Sequence, residues 1–169
     1  MRLRKALSAS LVAAAAAVAL IPATASAAPT SVTRPNDAWV PCTSYSGDDT
    51  VIAPDQTVQP GTRFCVGSFQ LIMQHDGNLV IYSNTGTPLW NSQTYTDPGA
   101  YAIMQGDGNF VVYQGQTAVW NAQTWGHPGA YTCFQTDGNL VVYAGPYLPG
   151  GYNCNPATPN NKALWNSGT

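Results

Sequence analysis

A nine-residue stretch that occurs three times sets the limits on how this chain can fold. Gln74-His75-Asp76-Gly77-Asn78-Leu79-Val80-Ile81-Tyr82 returns as Gln105-Gly106-Asp107-Gly108-Asn109-Phe110-Val111-Val112-Tyr113, and again as Gln135-Thr136-Asp137-Gly138-Asn139-Leu140-Val141-Val142-Tyr143. The starts lie 31 and 30 residues apart. A period of this length marks a tandem array in which each repeat is one supersecondary unit, stable only when it packs on its neighbours.

Aspartate-glycine between apolar runs is a hairpin signal. A two-residue loop at Asp76-Gly77 would pair Gln74 with Leu79 and mix polar and apolar positions on one face. A three-residue loop, His75-Asp76-Gly77, pairs Gln74 with Asn78 and puts Gly77 where that loop needs a left-handed residue. Because side chains alternate along strands, Gln74, Asn78, Val80 and Tyr82 then share one face. Leu71, Met73, Leu79 and Ile81 share the other, which is wholly apolar and reads as core.

The polar face has the chemistry of a small-ligand site. Extended, Gln74 to Tyr82 would span roughly 26 Å, far longer than a monosaccharide. Folded back, the glutamine, aspartate, asparagine and tyrosine converge, and offer amide donors and acceptors, a carboxylate and a phenol. The valine adds an apolar patch. A sugar, with vicinal hydroxyls beside a C–H surface, complements that set. A turn alone needs only the aspartate and glycine, yet all five side chains recur in each copy.

The pattern Gln-x-Asp-x-Asn-x-Val-x-Tyr, three times at about thirty residues, resembles the monocot mannose-binding (bulb-type) lectin family. The likeness covers residues 49–169. It implies an all-β fold, a β-prism II of three four-stranded antiparallel sheets around a pseudo-threefold axis. It also implies three carbohydrate sites for α-D-mannose or mannose-containing glycans: Gln74, Asp76, Asn78, Val80 and Tyr82; Gln105, Asp107, Asn109, Val111 and Tyr113; Gln135, Asp137, Asn139, Val141 and Tyr143. Carried over, the aspartate and asparagine bind the mannose 2-hydroxyl, the glutamine the 3-hydroxyl and the tyrosine the 4-hydroxyl, while the valine packs on ring carbons. No metal or other cofactor is implied. Members often exchange the last strand between subunits, which would make this chain a homodimer.

Residues 1–27 read as a secretory signal. Arg2, Arg4 and Lys5 precede the alanine-rich apolar run from Leu7 to Ile21, and Ala25-Ser26-Ala27 is an A-x-A cleavage site. A secreted, extracellular protein follows, with the leader composition of a bacterial exported chain. Residues 28–48 form a lead-in, flexible at first and then docked through Trp39, Val40 and Cys42. Without the leader, Arg34, Arg63 and Lys162 face eight aspartates and no glutamate, a net charge of −5. Such a chain is a poor partner for nucleic acid or anionic membranes. Val51-Ile52 and Val58 read as the short first strands of repeat one, and Arg63 to Met73 as the strand leading into its motif.

A second element trails each motif: Leu89-Trp90-Asn91-Ser92, Val119-Trp120-Asn121-Ala122 and Leu164-Trp165-Asn166-Ser167. One tryptophan per repeat, in register, predicts three indoles packed near the axis, each burying roughly 200 Å². A sugar-stacking platform is the alternative, disfavoured by the apolar residue before each tryptophan. Trp125 has no evident counterpart and is the expected exposed aromatic. Between Tyr143 and Trp165 lies an insertion, Ala144 to Ala163, rich in Pro, Gly and Asn.

Four cysteines in an exported chain imply two disulfides. Of three connectivities, Cys42–Cys65 with Cys133–Cys154 is the local one, pinning the lead-in and the insertion. Cys133 shares the face of Gln135, where Ile72 and Ile103 stand in the other repeats. The insertion would therefore be tied across or beside the third pocket, either extending it with Tyr147, Tyr152 and Asn153 or covering it. His75 and His127 are the only histidines and no CxxC occurs, so no metal site is expected. Without glutamate, a nucleophile elbow, HExxH or a P-loop, catalysis is not expected either. The motif aspartates would stand on different sheets, whereas a glycosidase needs two carboxylates about 5–10 Å apart. The competing function is a lectin-like bacteriocin or other antagonism protein on the same fold.

Overall fold

The computed structural model describes residues 39–145, 152–157 and 161–169. The leader, the first part of the lead-in and Tyr147 lie outside the described residues. Twelve strands run in order: β1 Thr50–Ile52, β2 Thr57–Val58, β3 Arg63–Val66, β4 Phe69–Met73, β5 Leu79–Ser83, β6 Pro88–Asn91, β7 Tyr101–Met104, β8 Phe110–Gln114, β9 Thr117–Asn121, β10 Tyr131–Phe134, β11 Leu140–Tyr143 and β12 Ala163–Asn166. They form three four-stranded antiparallel sheets: sheet I is β3-β4-β5-β6, sheet II β2-β7-β8-β9, and sheet III β1-β10-β11-β12.

Each motif hairpin has the register that parity requires. Met73 pairs Leu79, Met104 pairs Phe110, and Phe134 pairs Leu140. All six are fully buried, and with Ile81, Val112 and Val142 they form the inner core. The three in-register tryptophans close this core on the axis. Trp90, Trp120 and Trp165 meet edge to face, with ring centroids 5.4–5.5 Å apart for every pair, the arrangement the aromatic quadrupole favours.

Two expectations about the first repeat need correction. Val51-Ile52 and Val58 are indeed in short strands, but not in the sheet of repeat one. Strand β1 edges sheet III, with Val51 opposite Cys133, and β2 edges sheet II, with Val58 opposite Ala102. Repeats two and three each supply three strands to their sheets, so the segment before repeat one donates both missing edges. Nor is Arg63 to Met73 one strand. It is a hairpin, β3 to β4, turning at Gly67-Ser68, where Gly67 takes a left-handed φ of 57°. A carbonyl of Thr136 in the neighbouring repeat approaches so closely there that a Cβ would collide with it.

Both disulfides pair locally, Cys42–Cys65 and Cys133–Cys154. The first holds the described part of the lead-in against sheet I. Gln70 Nε2 and Arg63 Nη1 both donate to the Val40 carbonyl, at 3.0 and 2.9 Å. Strand β12 pairs with β11 of its own chain.

Candidate functional site

The three hairpins repeat one another closely. In each, the glutamine backbone N–H donates to the asparagine backbone carbonyl (2.8, 2.9 and 2.9 Å) and the glycine N–H to the glutamine backbone carbonyl (3.1, 3.0 and 2.9 Å). The glycines stand at φ of 99°, 94° and 92°, the left-handed geometry that a three-residue loop needs and glycine permits. Folding back brings the ends of the motif together. The glutamine Nε2 donates to the tyrosine hydroxyl at 3.3 Å for Gln74 and Tyr82, 3.1 Å for Gln105 and Tyr113, and 3.2 Å for Gln135 and Tyr143.

The aspartate and asparagine carry structural load that the sequence did not reveal. One carboxylate oxygen of Asp76, Asp107 and Asp137 accepts from the N–H of Asn78, Asn109 and Asn139, at 2.9, 2.9 and 3.0 Å, and so fastens the turn from within. Each asparagine Oδ1 then accepts from the chain beyond the tryptophan: the N–H of Thr94 at 3.2 Å, of Thr124 at 3.1 Å and of Gly168 at 3.2 Å. Thr94, Thr124 and Thr169 return a hydroxyl to the hairpin glycine carbonyl at 2.6–2.7 Å. Among the described residues, the Nδ2 groups of Asn78 and Asn109 make long contacts, 3.4 and 3.5 Å to Asn91 and Asn121. These donors are weakly held and suited to a stronger acceptor.

The sequence does carry a signal for this bracing. The element after each tryptophan extends to a threonine four residues on, at Thr94, Thr124 and Thr169. The residue before each threonine adopts a left-handed φ: Gln93 at 60°, Gln123 at 59° and Gly168 at 72°. That extended register also corrects the reading of Trp125, which does have a counterpart. Tyr95 follows Thr94 as Trp125 follows Thr124, and the two are 62% and 58% exposed. Both protrude from loops bonded to the motif asparagines.

The valines Val80, Val111 and Val141 are almost wholly buried, so each lies beneath the surface of its site and is not a projecting patch. Around them the three sheets differ. On sheet I, Ile72 and Gln74 are buried while Tyr82 is partly exposed. On sheet II, Gln105, Tyr113 and Ile103 remain partly exposed, and Asp107 is exposed. Tyr101 and Tyr113 stand side by side there, stacked with centroids 6.0 Å apart. On sheet III the same positions, Cys133 and Tyr143, are buried with Tyr131, Val141 and Cys154 in a second apolar cluster, and Tyr152 packs on it.

Burial raises the Tyr143 and Tyr131 hydroxyls above the usual tyrosine value of 10.0, and for Tyr143 it outweighs the bond from Gln135 Nε2, which favours the phenolate. Above that pH the unfolded chain loses protons that the native state keeps. Stability contributed by these groups is therefore full below about pH 10 and falls as pH rises toward the native values. A series of melting curves should show the loss beginning at about pH 10. A melting temperature unchanged to about pH 11 would contradict it.

Among the described residues, no three His, Cys, Asp or Glu side chains are grouped to hold a metal ion. No family model matches the chain. In sequence it is 38% identical over 71 residues to a mannose-specific lectin of Dendrobium findlayanum, a match covering 38% of this chain and 42% of that one. A mannose-specific lectin of Narcissus pseudonarcissus is 38% identical over 66 residues, covering 38% and 60%. The chain thus spans about half the length of the curated relatives it matches. Among solved structures, a monomeric monocot mannose-binding lectin from Gastrodia elata superposes with a TM-score of 0.58 at 31% identity, covering 72% of this chain and 97% of that one. The mannose-specific agglutinin of snowdrop (Galanthus nivalis) bulbs, solved with methyl-α-D-mannoside, gives 0.55 at 31% identity, covering 64% and 99%.

Proposed function

The chain belongs to the monocot mannose-binding lectin family, and from that premise we propose that it is a secreted, non-catalytic lectin for α-mannose or mannose-containing glycans. The observation that carries this reading is the second hairpin. There Gln105, Asp107, Asn109 and Tyr113 converge above Val111, with the glutamine amide 3.1 Å from the phenol. The contacts are polar and direct. An exposed carboxylate and the weakly held Asn109 Nδ2 take one hydroxyl, Gln105 the next, and Tyr113 the one after. No metal takes part, so binding persists in a chelator. One shallow pocket binds weakly, and affinity for a branched glycan comes from engaging more than one.

Because Asp107 and Asn109 also brace the turn, substituting them with alanine disturbs fold and site together. The side chains of Gln105 and Tyr113 bond each other and not the turn, which makes them the better probes. Gln105→Ala and Tyr113→Phe should keep the native melting temperature and weaken methyl-α-mannoside at this pocket by about tenfold, since each strands a hydrogen-bond partner worth about 1–3 kcal/mol. Calorimetry with and without EDTA reads both claims. No heat with methyl-α-mannoside in the unaltered protein, or unchanged binding in both variants, would sink the assignment.

Exchange of β12 between two copies would have to break the β11–β12 ladder of each chain and reform it across the dimer. Light scattering of the purified chain distinguishes that homodimer from a monomer.

A further inference from the structure

We propose that the third pocket is permanently filled by the protein's own chain: the segment Tyr152–Cys154 sits in it as an internal ligand, so that sheet III binds no sugar until that segment is released. This rests on the lectin reading of the motif and refines it.

The contact that matters is a hydrogen bond. Gln135 Nε2 donates to the backbone carbonyl of Cys154 at 2.7 Å, shorter than its 3.2 Å contact to Tyr143. In the mannose-binding reading this amide donates to a sugar hydroxyl oxygen. A carbonyl oxygen is an equally good acceptor and takes that place. The neighbouring carbonyl, Asn153 O, accepts from the Tyr131 hydroxyl at 2.8 Å, and Asn161 Oδ1 lies 2.6 Å from the same hydroxyl. Asn161 Nδ2 in turn donates to the carbonyls of Asn153 and Asn155 at 2.6 and 2.8 Å, fixing the segment's backbone. The apolar half is imitated as well, because the Tyr152 ring packs on Tyr131 with centroids 4.7 Å apart.

Burial differs at the tyrosine: Tyr143 is 2% exposed, whereas Tyr82 and Tyr113 stay partly open. The covering is at that end of the pocket, since Gln135 and Asn139 remain partly exposed. The disulfide Cys133–Cys154 makes the arrangement one-sided. It anchors the segment to the pocket's own strand β10, at the position isoleucine holds in the other two sheets. A tethered ligand acts at about millimolar effective concentration even through a flexible linker, and a disulfide two residues from Gln135 leaves it far less freedom than that. A weakly binding monosaccharide cannot compete.

Two measurements on the unaltered protein test this, one without sugar. Nitration of accessible tyrosines, mapped by mass spectrometry, should modify Tyr113 and spare Tyr143. On titration with methyl-α-mannoside, the NMR signal of the Gln105 side-chain amide should move and that of Gln135 should not. In the double variant Cys133→Ile, Cys154→Ala, Tyr143 should become nitrated and the Gln135 amide should respond, adding one sugar site. A Gln135 amide that responds in the unaltered protein, or Tyr143 nitrated as readily as Tyr113, overturns the proposal. So does a folded variant in which Tyr143 stays protected. If no amide moves with sugar but Tyr143 is spared until the clamp is removed, the segment is confirmed as a lid and the mannose reading is what fails. Should the variant not fold, the measurements on the unaltered protein still decide whether the pocket is closed.

Discussion

Trp120→Ala is expected to lower the unfolding free energy by about 3–5 kcal/mol, the range for deleting a large aromatic from a core. Trp120 contacts Trp90 and Trp165 at 5.5 and 5.4 Å and Phe110 at 6.3 Å, all edge to face. Trp120 is partly buried and packs against the core, so its removal strips contacts from all three sheets at once and the cost falls toward the lower end of that range. A domain of this size has about 5–15 kcal/mol in total, so the variant should be largely destabilised at its working temperature. Trp125→Ala is the control: at 58% exposed it should change stability by no more than about 0.5 kcal/mol. Urea unfolding followed by circular dichroism measures both. Equal costs for the two substitutions would mean that the indole triad is not a core.

Gly108→Ala should be the most damaging single change at a pocket. The residue is left-handed at φ 94°, which alone costs a non-glycine residue about 1–3 kcal/mol. In addition, a Cβ at Gly108 would collide with the His127 carbonyl oxygen, an atom of backbone that cannot swing aside. The loop of Thr124 and His127 would be pushed off the hairpin, and with it the bonds from Thr124 to Asn109 and Gly108. A loss of about 3 kcal/mol or more is expected, together with loss of sugar binding at the second pocket. Gly115→Ala separates the two causes. Gly115 is also left-handed, at φ 59°, but nothing lies within 4 Å of its added Cβ. It should cost only about 1 kcal/mol and leave binding alone. If Gly108→Ala is no worse than Gly115→Ala, close approach is not what the hairpin glycine provides.

Much of the pocket was legible because its determinants are local. Whether Gln74 faces Asn78 or Leu79 depends on loop length and parity, and both can be counted along the chain. The same counting placed Cys133 on the face of Gln135, and the repeat register put one indole in each sheet. Exposure of Trp125 was also legible, but its likeness to Tyr95 was hidden by a change of aromatic type within an otherwise repeating loop. The second duty of Asp107 and Asn109 was not legible. A side chain that braces a turn and one that awaits a ligand are the same residue in the sequence. Only the bonds to Thr124 and to the turn's own N–H show the bracing role.

By itself, then, the sequence determined the hairpins and the split of each into a polar and an apolar face; the three-sheet architecture came from the family resemblance that the motif carries, and the local disulfides were the favoured one of three pairings. Tertiary structure decided which sheet receives β1 and β2. Strands of three and two residues carry too little alternation to name a partner, and their pairing is fixed by which sheets lack an edge. It also set how the described part of the insertion lies on sheet III. Its cysteine ties it to β10, but that the Asn153 and Cys154 carbonyls accept from Tyr131 and Gln135 depends on backbone dihedrals, which residue identities do not set.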